Sequence, residues 1–322
     1  MNLQLDSKAI FPSAAQGGAV TIGNFDGVHR GHQAIVQQVR KLADQVSGPA
    51  VVFTFDPPPS RILRPEFAPA SLTGIERRTE LLKKFGIDFV IVYPTSKELL
   101  ELEPEQFFES IVVRSLKAKA IAEGENFQFG KKRRGDVPML KQLCKKHDLQ
   151  FSLLEPQLDQ GEWISSTQIR SLIEAGDIAG ANRLLIEPYR ISGTIAHGSK
   201  RGRTLGFPTA NLENIRVLCP PVGVYAGRVT GCSLRNESSL DVASPIGMPV
   251  AINIGSNPTF GEEKLKVETH IIGFSGDLYD QEIAIEFLAR LRDVEKFESK
   301  QQLLSQLGLD IDRAKNLAIA SK

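Results

Sequence analysis

Two histidines three residues apart lie in a glycine-rich stretch near the start of the chain, GNFDGVHRGHQ (residues 23–33). The stretch follows the apolar run AVTI (19–22) and precedes a helical pattern. Histidines at positions i and i+3 share one face of a helix, so His29 and His32 can donate two side-chain N–H groups to one ligand. A helix start also supplies backbone N–H groups and the positive end of the helix dipole. The chemistry that fits this arrangement is phosphate binding.

A zinc site and a polar turn are the simpler alternatives for this stretch. Zinc would need a third ligand, and no further Cys or His is nearby in the sequence. A polar turn would not require both His29 and His32. Gly23 and Gly27 let the backbone approach a ligand closely. Phosphate binding is therefore favoured.

A second candidate site lies in GTIAHGSKRGRTLGFPTANL (residues 193–212). Pro208 stiffens a turn, and Thr209 and Asn211, two residues apart, share one face if the segment is extended. A hydroxyl and an amide oxygen are hard ligands that suit Mg²⁺ between nucleotide phosphates. Taken in isolation, a proline turn with a capping Asn explains the same residues.

The first half of the chain alternates short apolar runs with helical patterns. This alternation predicts βαβ units and a parallel sheet with both faces covered. A strand end followed by a helix start places the histidine stretch where open α/β sheets bind ligands. The predicted strands are 19–23, 51–55, 89–92, 118–122 and 150–154, and the predicted helices are 32–46, 75–85, 104–116, 137–147, 167–175 and 178–184.

The pattern changes near residue 187. Strand-like runs separated by Gly, Pro and Asn follow, which predicts a small antiparallel barrel or sandwich. We therefore expect two domains, 1–186 and 187–322. The runs are 189–195, 223–230, 250–254, 267–272 and 283–291, and helical patterns at 300–306 and 310–320 end the chain.

Composition narrows the class of protein. The 322 residues carry a net charge of +1, which argues against a nucleic acid as the main partner. The basic run KKRR (131–134) has only Phe127 and Phe129 near it, whereas an RNA-binding surface would interleave more aromatic residues. No secretory signal and no apolar run long enough to cross a bilayer is evident, so we expect a cytoplasmic protein without a membrane partner.

Four segments of the first half resemble the nucleotidyltransferase superfamily in the form of bacterial FAD synthetases. They are TIGNFDGVHRGHQ, FTFDPPP, EGENFQFGKKRRGD and ISSTQIR. The resemblance implies a Rossmann-like domain in which His29 and His32 stabilise charge at the ATP phosphates. It further assigns ATP to Gly23, Asn24, Phe25, Asp26, Gly27, Ser166, Thr167 and Arg170, and the flavin to Asn126. Without the resemblance, a helix cap at Ser166 or Thr167 and a surface charge at Arg170 would explain ISSTQIR.

One residue departs from the family pattern. The turn after the second strand usually contains a histidine between two prolines, and this chain has Pro58 there. Pro58 has no side-chain or backbone donor, so any role of that histidine must be lost or supplied elsewhere. A kinase with a weakened or inactive adenylyltransferase domain is therefore the alternative.

The second half resembles riboflavin kinases in GTIAHGSKRGRTLGFPTANL, GVYAGRV, AINIGSNPTFG, VETHIIGF and LARLRDVEKFES. The resemblance implies a six-stranded barrel with C-terminal helices. It makes Glu268 the general base for the riboflavin 5′-hydroxyl, and Thr209 and Asn211 ligands of Mg²⁺ and the ATP phosphates. It places Gly198, Arg203 and Gly206 along the nucleotide loop, Arg292 at the flavin and His270 in a structural role.

Both resemblances together indicate a bifunctional riboflavin kinase/FAD synthetase. Such an enzyme phosphorylates riboflavin to FMN with MgATP and then adenylylates FMN to FAD. We expect a monomer or a weak homo-oligomer. Two further alternatives are another adenylyl- or cytidylyltransferase and a nucleic-acid-binding barrel. A different nucleotidyltransferase would not explain the PTAN segment (residues 208–211).

Overall fold

The computed structural model describes residues 2–4, 11–196, 207–233, 244–259 and 262–320. The chain forms two compact units, Met1–Ser166 and Thr167–Lys322. Within the described ranges, no helix combines the length and the apolar character needed to span a membrane.

The first unit contains a six-stranded parallel sheet. Its strands are β1 (Asn2–Gln4), β2 (Ala19–Ile22), β3 (Ala50–Asp56), β4 (Phe89–Pro94), β5 (Ala120–Gly124) and β6 (Gln150–Leu154). The strand order is β1-β4-β3-β2-β5-β6. All four residues of β2 are buried, as expected for a central strand with both faces covered. The order changes direction between β2 and β5, which is where such sheets open a ligand crevice.

Helices connect these strands. They are α1 (Arg30–Gln45), α2 (Pro59–Leu63), α3 (Ile75–Lys84), α4 (Lys97–Leu100), α5 (Pro104–Phe107), which continues as a π-helix over Phe108–Ser115, and α6 (Val137–Lys146). A hairpin of β7 (Leu158–Asp159) and β8 (Glu162–Trp163) follows β6. Helix α1 buries Val36, Val39, Leu42 and Ala43, a spacing that gives one apolar face.

The second unit is a closed antiparallel barrel with helices at both of its sequence ends. Helices α7 (Ser166–Glu174) and α8 (Ile178–Leu184) lead into the barrel strands, and α9 (Lys300–Ala320) ends the described chain. The strands are β9 (Arg190–Ala196), β10 (Ala210–Glu213), β11 (Gly223–Cys232), β12 (Pro249–Thr259), β13 (Glu262–Ile271) and β14 (Glu282–Arg292). Their order around the barrel is β10-β13-β12-β11-β14-β9.

The predicted fold class is confirmed, and the barrel is closed. Strand β9 alternates buried and half-buried residues, as a barrel wall with one inward face requires. Tyr225, Ile252 and Phe287 are fully buried within the barrel unit. The two helical patterns predicted at the C-terminus form one continuous helix, α9, across Gly308. A glycine costs a helix interior only about 1 kcal/mol, so it need not end the helix.

Candidate active sites

The two histidines cap α1 through each other. His29 is the N-cap residue, and its Nδ1 accepts a hydrogen bond of 3.3 Å from the backbone N–H of His32. In return, His32 Nδ1 accepts one of 3.4 Å from the backbone N–H of His29. The rings stack with their centroids 3.6 Å apart. Because both Nδ1 atoms are acceptors, each neutral imidazole carries its proton on Nε2 and can donate it to a ligand.

Burial keeps both histidines neutral at physiological pH. It lowers the pKa of His29 from 6.5 to about 4, and the nearby Asp26 opposes the shift only in part. Burial also lowers the pKa of His32, with further lowering from His29 and Arg78. The pair therefore presents two neutral N–H donors to a ligand rather than two cations.

We expect the first unit to lose stability as the pH falls from 6.5 to about 4. The unfolded chain takes up a proton at His29 at higher pH than the folded chain does, so the stabilisation is complete above pH 6.5 and is lost below. The lowered pKa of His29 corresponds to about 3 kcal/mol. Thermal unfolding between pH 4 and 7 measures the effect. His29→Asn, which cannot take up this proton, should flatten the slope, and an unchanged slope would contradict the assignment.

The turn before α1 has an unusual backbone. Phe25, Gly27 and Val28 have φ values of 50°, 85° and 39°. The left-handed region suits Gly27 and is costly for Phe25 and Val28, and such conformations cluster at functional sites. Phe25 is buried, and its ring centroid lies 5.0 Å from that of His32. Gly23 faces the Phe25 ring, which a Cβ would approach to 3.1 Å, while Asn24 is exposed.

Asp26 is engaged within the protein. Its carboxylate accepts hydrogen bonds of 3.0 Å from the backbone N–H groups of Leu72 and Thr73, and Arg78 Nη2 lies 3.3 Å from Oδ1. Thr73 Oγ1 also accepts from Gly27 N–H at 3.1 Å. The side chain of Asp26 thus attaches the turn to the segment before α3. Its predicted contact with ATP stays a prediction.

The ISSTQIR segment reaches the histidine turn through its second serine. Ser166 Oγ donates a hydrogen bond of 2.8 Å to the backbone carbonyl of Asp26, 140 residues away in sequence. Thr167 and Arg170 lie on α7, in the second unit. The structure therefore brings Ser166 to the motif, and the roles of Thr167 and Arg170 stay predictions.

Asn126 follows β5 on the opposite side of the crevice from β2. The backbone N–H of Phe127 donates to Gly124 O at 3.0 Å and closes a turn that leaves Asn126 exposed. In the adjacent basic run, Lys131 pairs with Glu101 at 2.7 Å and Arg134 with Glu103 at 3.4 Å. Two of the four cations are thus paired within the protein, as expected for a surface loop.

The barrel unit contains a cavity of ≈ 430 Å³. Thr209, Asn211, Glu268 and Arg292 all line it, so the predicted kinase residues that the structure describes converge on one cavity. Gly198, Arg203 and Gly206 lie outside the described residues. His270 Nδ1 is 2.8 Å from Pro208 O and holds the turn before Thr209, which agrees with a structural role.

Glu268 lies between two asparagines on neighbouring strands. Across the ladders of β13, it is the partner of Asn211 on β10 and of Asn253 on β12. Lys266, two residues earlier on β13, pairs with Glu268 through an Nζ–Oε1 distance of 2.7 Å. Sequence reasoning missed both Asn253 and Lys266, although Asn253 lies within the AINIGSNPTFG segment and the two-residue strand spacing places Lys266 on the face of Glu268.

The side chain of Asn211 fits a ligand of Mg²⁺. Asn211 is 7% exposed, and its Oδ1 atom is buried with no hydrogen-bond partner among the residues that the structure describes. A buried acceptor without a partner is costly, and an ion or ligand would relieve that cost. Thr209, directly before β10, is exposed and lines the same cavity. An amide and a hydroxyl oxygen suit a hard cation.

Arg292 is held by the C-terminal helix. Its Nε and Nη2 atoms donate to the buried carboxylate of Asp310 on α9 at 2.8–3.2 Å, and Gln306 donates to the same carboxylate at 2.9 Å. This forked pair fastens α9 to β14. If Arg292 contacts the flavin, its guanidinium must do so while it stays bound to Asp310. This contact stays a prediction.

Family models match both halves of the chain. One described as FAD synthetase matches residues 11–168, and one described as riboflavin kinase matches residues 185–318. Each match includes the candidate site of its half: the histidine pair lies in the first, and Asn211 and Glu268 lie in the second.

Comparisons over the full chain agree. A bifunctional riboflavin kinase/FMN adenylyltransferase from Escherichia coli (strain K12) is 32% identical over 92% of this chain and 91% of its own length. One from Pseudomonas fluorescens is 35% identical over 95% and 94%. A crystal structure described as macrolide-efflux protein from Streptococcus pneumoniae has a TM-score of 0.84 and 29% identity and covers 98% of both chains. The chain belongs to the family of bifunctional riboflavin kinases/FMN adenylyltransferases.

Proposed function

We infer that the chain catalyses two consecutive reactions with ATP. It phosphorylates riboflavin to FMN, with ADP as the second product, and it adenylylates FMN to FAD, with release of pyrophosphate. What supports this function is that a family model matches each half of the chain, and that predicted residues of each half lie close together: His29 stacks on His32 in the first half, and Thr209, Asn211 and Glu268 line one cavity in the second. We assign adenylylation to a domain of residues 1–186 and phosphorylation to a domain of residues 187–322.

In the kinase site, the oxygen of the riboflavin 5′-hydroxyl attacks the γ-phosphorus of ATP. Glu268 accepts the proton of that hydroxyl during the attack. The half-buried position of this carboxylate at the cavity wall supports the role. Thr209 and Asn211 would hold Mg²⁺ through their side-chain oxygens, and the bound ion would supply positive charge to the phosphates. Gly198, Arg203 and Gly206 bind ATP, and Arg292 contacts the flavin or the FMN phosphate.

In the adenylyltransferase site, an oxygen of the FMN phosphate attacks the α-phosphorus of ATP. The bond to the pyrophosphate breaks, and no covalent intermediate with the protein forms. His29 and His32 donate their Nε2–H groups to the phosphate oxygens on which negative charge increases. Ser166, Thr167 and Arg170 bind the triphosphate, the turn from Gly23 to Gly27 receives the nucleotide, and Asn126 contacts the flavin. Phosphate transfer of this kind depends on positioning and charge neutralisation.

A time course of flavin products tests both reactions. Purified protein is supplied with riboflavin, ATP and Mg²⁺, and the flavins are separated by chromatography. We expect FMN first and FAD later. If no FMN forms, the kinase assignment is refuted. If FMN forms but no FAD does, even when FMN is supplied directly, the result favours a kinase with an inactive adenylyltransferase domain, the alternative suggested by Pro58. We further propose that the enzyme is cytoplasmic, acts as a monomer or weak homo-oligomer and binds no nucleic acid.

Gly31→Ala is expected to lower FMN adenylylation about tenfold while riboflavin phosphorylation stays unchanged. A Cβ at Gly31 would lie 3.1 Å from both Cε1 and Nδ1 of His29, so the ring or the helix start must shift. A catalytic group that is displaced slightly lowers the reaction rate even when it stays in contact with its ligand. Alanine is favoured over glycine in a helix by about 1 kcal/mol, so instability would not explain the loss. Initial FAD rates together with thermal unfolding measure this, and an unchanged rate would show that the ring needs no such precision.

A further inference from the structure

A buried glutamate lies where β2 and β5 separate. Glu123, near the end of β5, is 3% exposed. Its Oε1 atom accepts a hydrogen bond of 2.7 Å from the backbone N–H of Ile22 and one of 3.3 Å from Thr21 Oγ1, both on β2. These are contacts across the central crevice of the sheet, between residues about a hundred positions apart in the chain.

The side-chain carboxyl group of Glu123 replaces backbone hydrogen bonds that are missing from the ladder between β2 and β5. Strands β2 and β5 pair at only two positions, Ala19 with Ala120 and Val20 with Ile121. In the same register, Ile22 would be the partner of Glu123. Both strands stay paired on their other sides, β2 with β3 as far as Ile22 and β5 with β6 as far as Gly124. The sheet therefore splits between β2 and β5, and the side chain of Glu123 spans the split.

The two edges of this split lead into the adenylyltransferase site. Residue 23, directly after Ile22, begins the turn that ends in the capping pair of His29 and His32. On the other edge, Asn126 follows Glu123 by three residues, and its Oδ1 lies 3.5 Å from the position of a Cβ at Gly124. Glu123 therefore joins the strand end that leads to the histidine turn to the strand that leads to Asn126.

We propose that Glu123 is a positioning residue for FMN adenylylation, which fastens the end of β2 to β5 and sets the distance between the histidine turn and Asn126. This inference rests on the proposed function. The two donors converge on one oxygen, Oε1, which has two lone pairs to accept them. Burial raises the pKa of Glu123 well above its usual range, and its contacts on β2 lower it only in part. Burial thus favours the neutral form of the carboxyl group, which adds no negative charge beside bound phosphates.

Three variants separate this role from a purely structural one. Glu123→Leu keeps the bulk and removes the acceptor. Glu123→Asp keeps the acceptor and withdraws it by one methylene. Glu123→Gln keeps both the length and an Oε1 acceptor, so it is the conservative control. The initial rate of FAD formation is measured over a range of FMN and ATP concentrations, and the number of FMN molecules bound per chain is measured for each variant.

For the Leu and Asp variants, we expect kcat for FAD formation to fall ~10- to 100-fold, because a small displacement of reacting groups has that effect. KM for each substrate should change less than about threefold, since each edge keeps its own contacts. Gln should restore kcat to within about threefold of the wild type. Riboflavin phosphorylation and the number of bound FMN molecules should stay unchanged in all variants.

Distinct outcomes would overturn the proposal. Wild-type kcat in both the Leu and the Asp variant would show that the hydrogen bonds set nothing that the reaction needs. A fall in bound FMN parallel to the fall in rate, in both variants, would assign Glu123 to folding alone. A Gln variant as slow as Leu would show that the carboxyl group itself is required. If the wild type makes no FAD from FMN, the proposed function fails instead, which the same assay reveals before any variant is compared.

Discussion

Glu268→Gln is expected to slow riboflavin phosphorylation by about 10²–10⁴-fold, the range typical of a lost general base. The amide has nearly the same shape as the carboxylate, so the ladders to Asn211 and Asn253 should persist. It cannot take the proton of the 5′-hydroxyl at neutral pH. FAD formation from supplied FMN should continue at the wild-type rate, because we assign that reaction to the other domain, residues 1–186.

Lys266 provides the matched control for this prediction. Its ammonium group pairs with Glu268 at 2.7 Å, so Glu268→Gln removes an ion pair as well as a base. Lys266→Met removes the same pair and leaves the carboxylate in place. We expect the Met variant to lose far less kinase activity than the Gln variant. Equal losses in the two variants would mean that the ion pair, rather than proton transfer, explains the effect.

The same assay can reject the assignment of Glu268. If Glu268→Gln slowed phosphorylation and adenylylation to the same extent, the residue would act on the whole protein and not on one reaction. If it slowed neither, the base would have to be sought elsewhere in the cavity. Separate measurement of FMN from riboflavin and of FAD from FMN distinguishes these cases.

His29→Asn is expected to lower the rate of FMN adenylylation by about 10²–10³-fold. This is the range typical for the loss of one hydrogen-bond donor that stabilises charge in a transition state. Asparagine is a good N-cap residue whose Oδ1 can accept the backbone N–H of His32, so α1 should keep its start. It does not extend to the position of the imidazole Nε2, so the donor toward the phosphate is lost. Riboflavin phosphorylation should be unaffected.

His29→Gln is the complementary variant. Its longer amide can place an N–H near the position of Nε2, although it is a poorer cap for the backbone N–H of His32. We expect Gln to recover part of the activity that Asn loses and to have a lower melting temperature than Asn. Full activity in the Asn variant would show that His29 serves only as the cap of α1 and that phosphate binding falls to other groups.

The sequence by itself determined the fold class and the segments that form both candidate sites. Hydrophobic periodicity sets helices and strands through neighbours within a few residues, which is why the predicted ends of α1 and α6 lie within two residues of the observed ones. Motifs such as GNFDGVHRGHQ and GFPTAN are equally local. The HRGH spacing therefore already specified a helix start with two convergent imidazoles.

Tertiary structure alone decided how polar side chains are used. The carboxylate of Asp26 belongs to the nucleotide motif in sequence, yet it binds the backbone of Leu72 and Thr73. Arg292 shares its guanidinium with Asp310, and Glu123 fastens Ile22 across the crevice. Each of these contacts joins separate elements. Their formation depends on the strand register and on which polar groups are buried away from water when the elements pack. A local sequence pattern contains no information on either.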